Sequence, residues 1–520
     1  MACILVLSLV LSVFWLLNEQ GANSKPVVSM DAKLSDTSIG SPSLPDPVIE
    51  EFKLPLPSNA ILGERVIHFS DRGDYLWYLD KLSELGLSPL GKIDGLLSIR
   101  VHEDVLSQLN PAMYGGEETF SYRVEQPLPP TEPNPELLAQ LRAFEATART
   151  IAGNLVEGDG SGVVVAILDS GIQLHSYFDE VHIDSIDLTG NGISGPGSDH
   201  GTAVASILAG KAGIVPTADL LVIRVLDDQG VGTSFDVADG IVRAVDRGAQ
   251  LINLSLGADQ DVEVLQKAVR YAHAQGVVLI AAAGNDGYDR LPYPAAYPQV
   301  LSVTAVDRLR RQAVFPNQSS AIDFAAPGVG ILTADEANEV RLFSGTSAAT
   351  PFVTGTLAAL LSADSAMSSQ ETVTVLRRYL DDAGAVGLDP YYGGGLLNWD
   401  RLRERNTTDV NDIALADIHL PSDARPGTTM PIEVIVQNRG TRWLTAAELT
   451  VMAGGSEPVE FTIGTLAPGQ TTTRKIYKQL PTKQSDKALE IAAQVLAKGL
   501  DDDDVRPENN VKAVLFRPTQ

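Results

Sequence analysis

Between positions 163 and 306 the chain alternates two apolar patterns. Short runs in which nearly every residue is apolar fall at 163–168, 220–225, 251–254, 277–281 and 300–306, as for strands covered on both faces. Between them, 201–209, 235–247 and 262–275 carry apolar residues at helical spacing. Alternating strands and helices predict a mostly parallel sheet with helices on both faces. Beyond it, Phe352, Val353, Leu357, Leu360 and Leu361 predict a buried helix. That helix is entered through the small-residue loop Ser344-Gly345-Thr346-Ser347-Ala348-Ala349-Thr350-Pro351. A Ser just before a helix is normally its N-cap, and Ser347 is read first in that role.

The flanks follow other patterns. The apolar run 4–17 is short for a spanning helix and fits a signal-peptide core, with Ala22-Asn23-Ser24 as a small-x-small cleavage site. Residues 1–24 are therefore expected to be a signal peptide, with a retained N-terminal membrane anchor as the alternative. A Ser-, Pro- and Asp-rich stretch, 25–59, reads as a disordered spacer. Residues 60–126 predict a small α+β unit: a strand at 65–69, a helix at 75–85, strand-turn-strand over 91–101 and a helix at 103–109. A Pro-rich linker and a leading helix at 135–155 fill the space to the α/β unit, taken as 151–405. After Asn406 the helical spacing disappears. Seven short strands, at 413–419, 430–437, 444–452, 459–463, 471–480, 489–496 and 511–516, predict an all-β sandwich over 412–520.

Composition narrows the function classes. With 39 Lys and Arg against 66 Asp and Glu, the formal charge is −27, which excludes the basic footprint that nucleic acid requires. The single cysteine, Cys3, permits no intramolecular disulfide and no thiolate metal cluster.

Four short stretches carry candidate chemistry. Asp169-Ser170-Gly171 ends the first apolar run, at the sheet edge where open parallel sheets bind ligands. Asp199-His200-Gly201-Thr202 opens a helix, Ala283-Gly284-Asn285 leaves a strand, and Ser347 opens the last helix. Each has an ordinary structural explanation: a turn Asp, a capping His, a left-handed Asn, an N-cap Ser. Together they supply a carboxylate, an imidazole, an amide donor and a hydroxyl, the set that acyl transfer needs. Two sequons also occur, at Asn317-Gln318-Ser319 and Asn406-Thr407-Thr408.

In that order and with those neighbours, the four motifs resemble the subtilisin-like serine proteases. The likeness spans 151–403 and extends to Leu254-Ser255-Leu256-Gly257 and Ala325-Ala326-Pro327-Gly328. It implies a subtilisin-like α/β catalytic domain with Asp169, His200 and Ser347 as the triad and Asn285 as oxyanion donor. Substrate is then expected along Ser255, Leu256 and Gly257 on one side and Ala282 and Gly284 on the other. Residues 60–126 take the place of an inhibitory pro-domain, and the implied product is a secreted, self-processed endopeptidase acting on proteins or peptides. The resemblance implies no cofactor for the chemistry and no metal at the site. A structural calcium ion is possible, but the usual strong-site loop is missing from the short link 210–219. The sandwich resembles CARDB-like adhesion modules, which implies binding to a surface, a polysaccharide or a protein.

Two rival activities fit less well. An α/β-hydrolase needs Gly-x-Ser-x-Gly and the order Ser, acid, His; position 349 is Ala and the order is reversed. A metal-dependent hydrolase lacks its His-Glu-x-x-His pair. A degenerate, non-enzymatic binding protein requires the loss of a triad residue, and all three are present. For specificity, neutral walls of Gly and Ala favour a large apolar side chain before the cut bond. Asp259, Asp261 and Asp286, just beyond them, offer a basic side chain as the alternative.

Overall fold

The computed structural model describes residues 58–127, 157–211, 213–335, 338–421, 424–480, 488–498 and 504–516. The expected signal peptide, nearly all of the spacer and the helix expected at 135–155 lie outside the described residues. At the centre is a seven-stranded parallel sheet. Its strands are β6 (Val164–Asp169), β7 (Ile183–Asp187), β8 (Asp219–Arg224), β10 (Leu251–Leu254), β11 (Val278–Ala282), β12 (Val300–Val306) and β13 (Phe324–Pro327). Their spatial order is β13-β12-β11-β10-β6-β8-β7.

Successive residues of a strand point to opposite faces, so each apolar run feeds two cores. Val165 and Ile167 enter one; Ala166 and Leu168 enter the other. The first core is covered by α3 (Asp199–Leu208) and α6 (Thr346–Ala363), the second by α4 (Ser234–Asp246) and α5 (Glu263–Ala274). Helix α6 is buried around its whole circumference over its first sixteen residues, which accounts for its lack of a polar face. Its polar exceptions, Thr350, Thr354 and Thr356, donate back to the carbonyls of Thr346, Thr350 and Phe352 at 2.8, 3.2 and 2.7 Å.

Before this domain lies the α+β unit. Strands β1 (Glu64–Phe69), β2 (Gly91–Ile93), β3 (Ser98–His102) and β4 (Gly116–Thr119) form an antiparallel sheet in the order β2-β3-β1-β4. One face packs under α1 (Arg72–Glu84) and α2 (Glu103–Gln108) through Ile67, Phe69, Tyr75, Tyr78 and Val105. The other face lends Val66 and Ile93, and the turn between β2 and β3 lends Leu96, to the core around α4 and α5. Arg100 fixes the contact: it bonds the Thr233 hydroxyl at 2.9 Å and Asp236 at 3.0 Å.

Strands β16 (Ile413–His419), β17 (Thr429–Asn438) and β20 (Thr471–Gln479) form one antiparallel sheet. Strands β18 (Ala447–Ala453), β19 (Val459–Ile463), β21 (Leu489–Ala497) and β22 (Val511–Phe516) form the second. Alternate residues, such as Leu449 and Val451, fill a shared core, as in a two-sheet sandwich.

A buried carboxylate joins the sandwich to the α/β domain. Asp381, fully buried, meets Arg310 at 2.7 Å, Arg439 of the sandwich at 3.2 Å and Arg401 at 3.4 Å, and accepts from the Asn398 amide at 2.9 Å. Burial alone would raise its carboxyl. Arg439, Arg310 and Arg401, with the Asn398 bond, outweigh that and hold it at about 2. Gln437 adds neutral bonds across the same seam, to the Leu380 carbonyl at 3.2 Å and the Asp382 amide at 3.1 Å.

Replacing Asp381→Asn leaves Arg401 and Arg439 buried without their counter-charge. The expected cost is about 3–5 kcal/mol, read from urea unfolding at neutral pH. Because the carboxyl is depressed, its contribution is complete above about pH 4, the unfolded value, and is lost as pH falls toward 2. The gap between wild type and variant should therefore close over that window; a gap independent of pH would remove Asp381 from this role.

Candidate functional site

The carboxyl ends of β6, β10 and β11 and the start of α6 meet at one edge of the sheet. Asp169, the last residue of β6, is fully buried. Its Oδ1 accepts from the Ser170 amide at 2.7 Å and bonds His200 Nδ1 at 2.8 Å. A carboxylate on Nδ1 fixes the proton there and leaves Nε2 as the acceptor. Gly201 makes the approach possible: a Cβ on it would run into the Gly171 carbonyl. The His200 ring also rests edge-on against Phe343, with centroids 5.4 Å apart.

Behind His200, the loop between β7 and α3 is held by Arg224, a fully buried residue at the end of β8. Its guanidinium donates to the Gly192 carbonyl and to Asp228, both at 2.6 Å.

Ser347 is the second residue of α6 rather than its N-cap. The cap is Gly345, whose φ of +148° an L side chain rarely adopts. A Cβ there would also stand 3.1 Å from the Asn285 amide nitrogen. The Ser347 hydroxyl is thereby freed from capping. Among the described residues, Ser347 Oγ and His200 Nε2 are buried and have no hydrogen-bond partner. Catalytic hydrogen bonds are often unformed without substrate.

Asn285 lies three residues beyond the end of β11. Its Oδ1 accepts from the Thr346 amide at 3.0 Å and the Thr346 hydroxyl at 2.9 Å. The same hydroxyl takes the Gly284 amide at 3.1 Å. Of the expected wall residues, Ser255 donates to the Ser347 carbonyl at 3.3 Å and accepts from Asn253 at 3.1 Å. Gly257 sits against Pro292 and pairs with residue 125. Leu256 and Ala282 are fully buried, Leu256 within the core beside α4 and α5. Among the carboxylates beyond the walls, Asp259 pairs with Arg290 at 3.2 Å and Asp261 accepts from the Tyr297 hydroxyl at 2.8 Å. Asp286 is exposed; partial burial, then the facing Asp259 and Glu125, push its carboxyl up.

The open edge is already paired with a piece of the chain. Strand β5 (Arg123–Glu125) runs antiparallel to β9 (Val231–Thr233), with Val124 opposite Gly232. Glu125 exchanges both main-chain bonds with Gly257, each 2.9 Å, and the Gln126 amide donates to the Gly230 carbonyl at 3.0 Å. Val124 is fully buried in the core beneath. Strand β5 was not legible from pattern, being three residues long and following no apolar run.

Among the described residues, no three His, Cys, Asp or Glu side chains gather as metal ligands. Backbone carbonyls are a separate class of calcium ligand.

The profile described as the subtilase family matches residues 160–395, and the CARDB profile matches 411–510. The chain is 39% identical over 247 residues to a thermophilic serine proteinase of Bacillus sp. (strain AK1), covering 46% of this chain and 61% of that protein. It is 38% identical over 256 residues to thermitase of Thermoactinomyces vulgaris, covering 46% and 88%. Against Subtilisin Savinase of Lederbergia lenta it is 33% identical over 245 residues, covering 46% and 90%.

Proposed function

The chain belongs to the subtilase family, whose members are serine endopeptidases, and on that premise we propose that it is a secreted peptidase made as a self-processed zymogen. The observation that carries this reading is the meeting of Asp169, His200, Asn285 and Ser347 at one sheet edge. Ser347 Oγ attacks the carbonyl of a bound peptide while His200 Nε2 takes its proton. Asp169 holds the imidazole and stabilises the imidazolium. The Asn285 amide and the Ser347 N–H receive the oxyanion. His200 then protonates the leaving amine, and water reverses the sequence on the acyl-enzyme. These steps need no cofactor.

Substrate peptide binds as a strand in the place of β5, between β9 and Gly257. Residues 60–126 are then the inhibitory pro-domain, and their last strand is the inhibitor. Secretion rests on the N-terminal apolar run. Among the described residues no helix is long and apolar enough to cross a membrane. The sandwich, fixed through Asp381, offers its remaining surface to a polysaccharide, protein or cell-surface partner.

Ser347→Ala should lower kcat by about 10⁶-fold, a magnitude taken from subtilisin itself, and leave the chain unprocessed. Undiminished turnover, or normal labelling by an organophosphate, would rule Ser347 out as nucleophile.

Residues 58–127, supplied in trans, should inhibit the mature enzyme. Ending the segment at 122 removes the bonds to Gly230, Gly257 and β9. At about 1 kcal/mol for each main-chain bond, inhibition should weaken by roughly a hundredfold or more. Equal inhibition by the two segments would separate the inhibitor from β5.

Two of the three nearby carboxylates are engaged by Arg290 and Tyr297. A large apolar residue before the cut bond is therefore the expected preference, measured as kcat/KM for peptides differing only in Phe or Arg there. A tenfold preference for Arg would make Asp286 and its neighbours specificity residues.

A further inference from the structure

The sequon residue Asn317 is only 2% exposed, and its side chain is committed to the loop that carries Asn285. After β11 ends at Ala282, residues 284–288 belong to no helix or strand. Five hydrogen bonds tie them to 315–318. Asn317 Oδ1 accepts from the Asp286 amide at 3.1 Å and the Tyr288 amide at 2.9 Å. The Asn317 amide donates to the Gly284 carbonyl at 3.0 Å, Gly287 donates to the Phe315 carbonyl at 3.1 Å, and Gln318 to the Tyr288 carbonyl at 2.8 Å. Gly284 has φ +92°, and a Cβ on it would collide with the Asn317 side-chain amide.

The Asn317 side chain thus takes the amides one and three residues beyond Asn285, while its main chain takes the carbonyl one residue before. Thr346 holds the Asn285 side chain through the two bonds to its Oδ1. We infer that Asn317 is a positioning residue: it sets the backbone of Asn285 so that the amide meets the developing oxyanion. This rests on the reading of Asn285 as the oxyanion donor. An Asn here is specific chemistry. One short side chain must offer an acceptor to two amides while fitting against a glycine; an apolar residue of similar size leaves both amides without that partner. The same commitment bars glycan attachment in the folded protein, whereas Asn406 of the second sequon is exposed.

An oxyanion donor displaced by a fraction of an ångström loses transition-state contacts but not ground-state binding. The test is a double-mutant cycle of Asn317→Ala and Asn285→Ala, with kcat and KM measured on a peptide substrate and active sites titrated with an organophosphate. Asn317→Ala alone should lower kcat by about 10- to 100-fold, with KM changed less than about threefold. In the Asn285→Ala background it should lower kcat by less than about twofold, because the group it positions is gone. Equal losses in both backgrounds would make Asn317 a general structural residue and overturn the inference, as would unchanged kcat in the single variant. Should Asn317→Ala not yield titratable sites, the cycle is run with Asn317→Ser under the same criteria of coupling and KM. If Asn285→Ala itself leaves kcat unchanged, the oxyanion reading has failed, and the inference falls with it. If Asn285→Ala is slow and Asn317→Ala is not, only the inference about Asn317 has failed.

Discussion

Parallel strands end on the same side, and the site depends on that constraint. Asp169 ends β6, Ser255 follows β10 and Asn285 follows β11, so one sheet edge gathers them from positions far apart in sequence. Helices α3 and α6 start at that edge and deliver His200 and Ser347 in their first turns. Close approach then depends on side chains that are absent: Gly201 lets α3 reach the end of β6, and Gly345 lets α6 begin beside Asn285. A Cβ at either place would separate groups that must act within hydrogen-bond reach.

The rest of the molecule is built outward from this rigid centre by two unlike contacts. The α+β unit is attached through apolar residues, the mostly buried Arg100 and the main-chain bonds of β5, a contact of the kind that separable domains make. The sandwich is attached through a carboxylate out of reach of water, neutralised by guanidinium groups from both domains. A pair of that kind adds little over an apolar contact while intact, but is costly to break from one side.

The central strands were legible because burial on both faces leaves an unbroken apolar run. Those at 251–254 and 300–306 coincide with β10 and β12. Strand β7 was missed: at the sheet edge it reads Ile-Asp-Ser-Ile-Asp, half exposed, with no such run. Strand β13 was missed because it is four residues long, two of them Ala and the last Pro327, too short and too small for an apolar run. Motif order singled out Asp169, His200, Asn285 and Ser347, and the fold brings them to one edge. Thr346 and Asn317 were not legible as site residues. Their contribution comes from contacts between segments 61 and about 30 positions apart, which no local pattern encodes. The start of α6 was misplaced for a related reason: the cap is made by the backbone of Gly345, not by the hydroxyl that marks a usual cap.

The strand that fills the cleft is part of the same chain, and that changes what can displace it. A tethered segment faces its site at an effective concentration of order millimolar. A free peptide of equal intrinsic affinity, present at about a micromolar, is outnumbered by roughly a thousand to one. With β5 as the proposed inhibitor, substrate alone would not open the cleft while the covalent link to β5 is intact. Under the proposed self-processing, cleavage within each molecule makes the timing first-order, and a population of such chains would switch on at a rate independent of how much there is to digest.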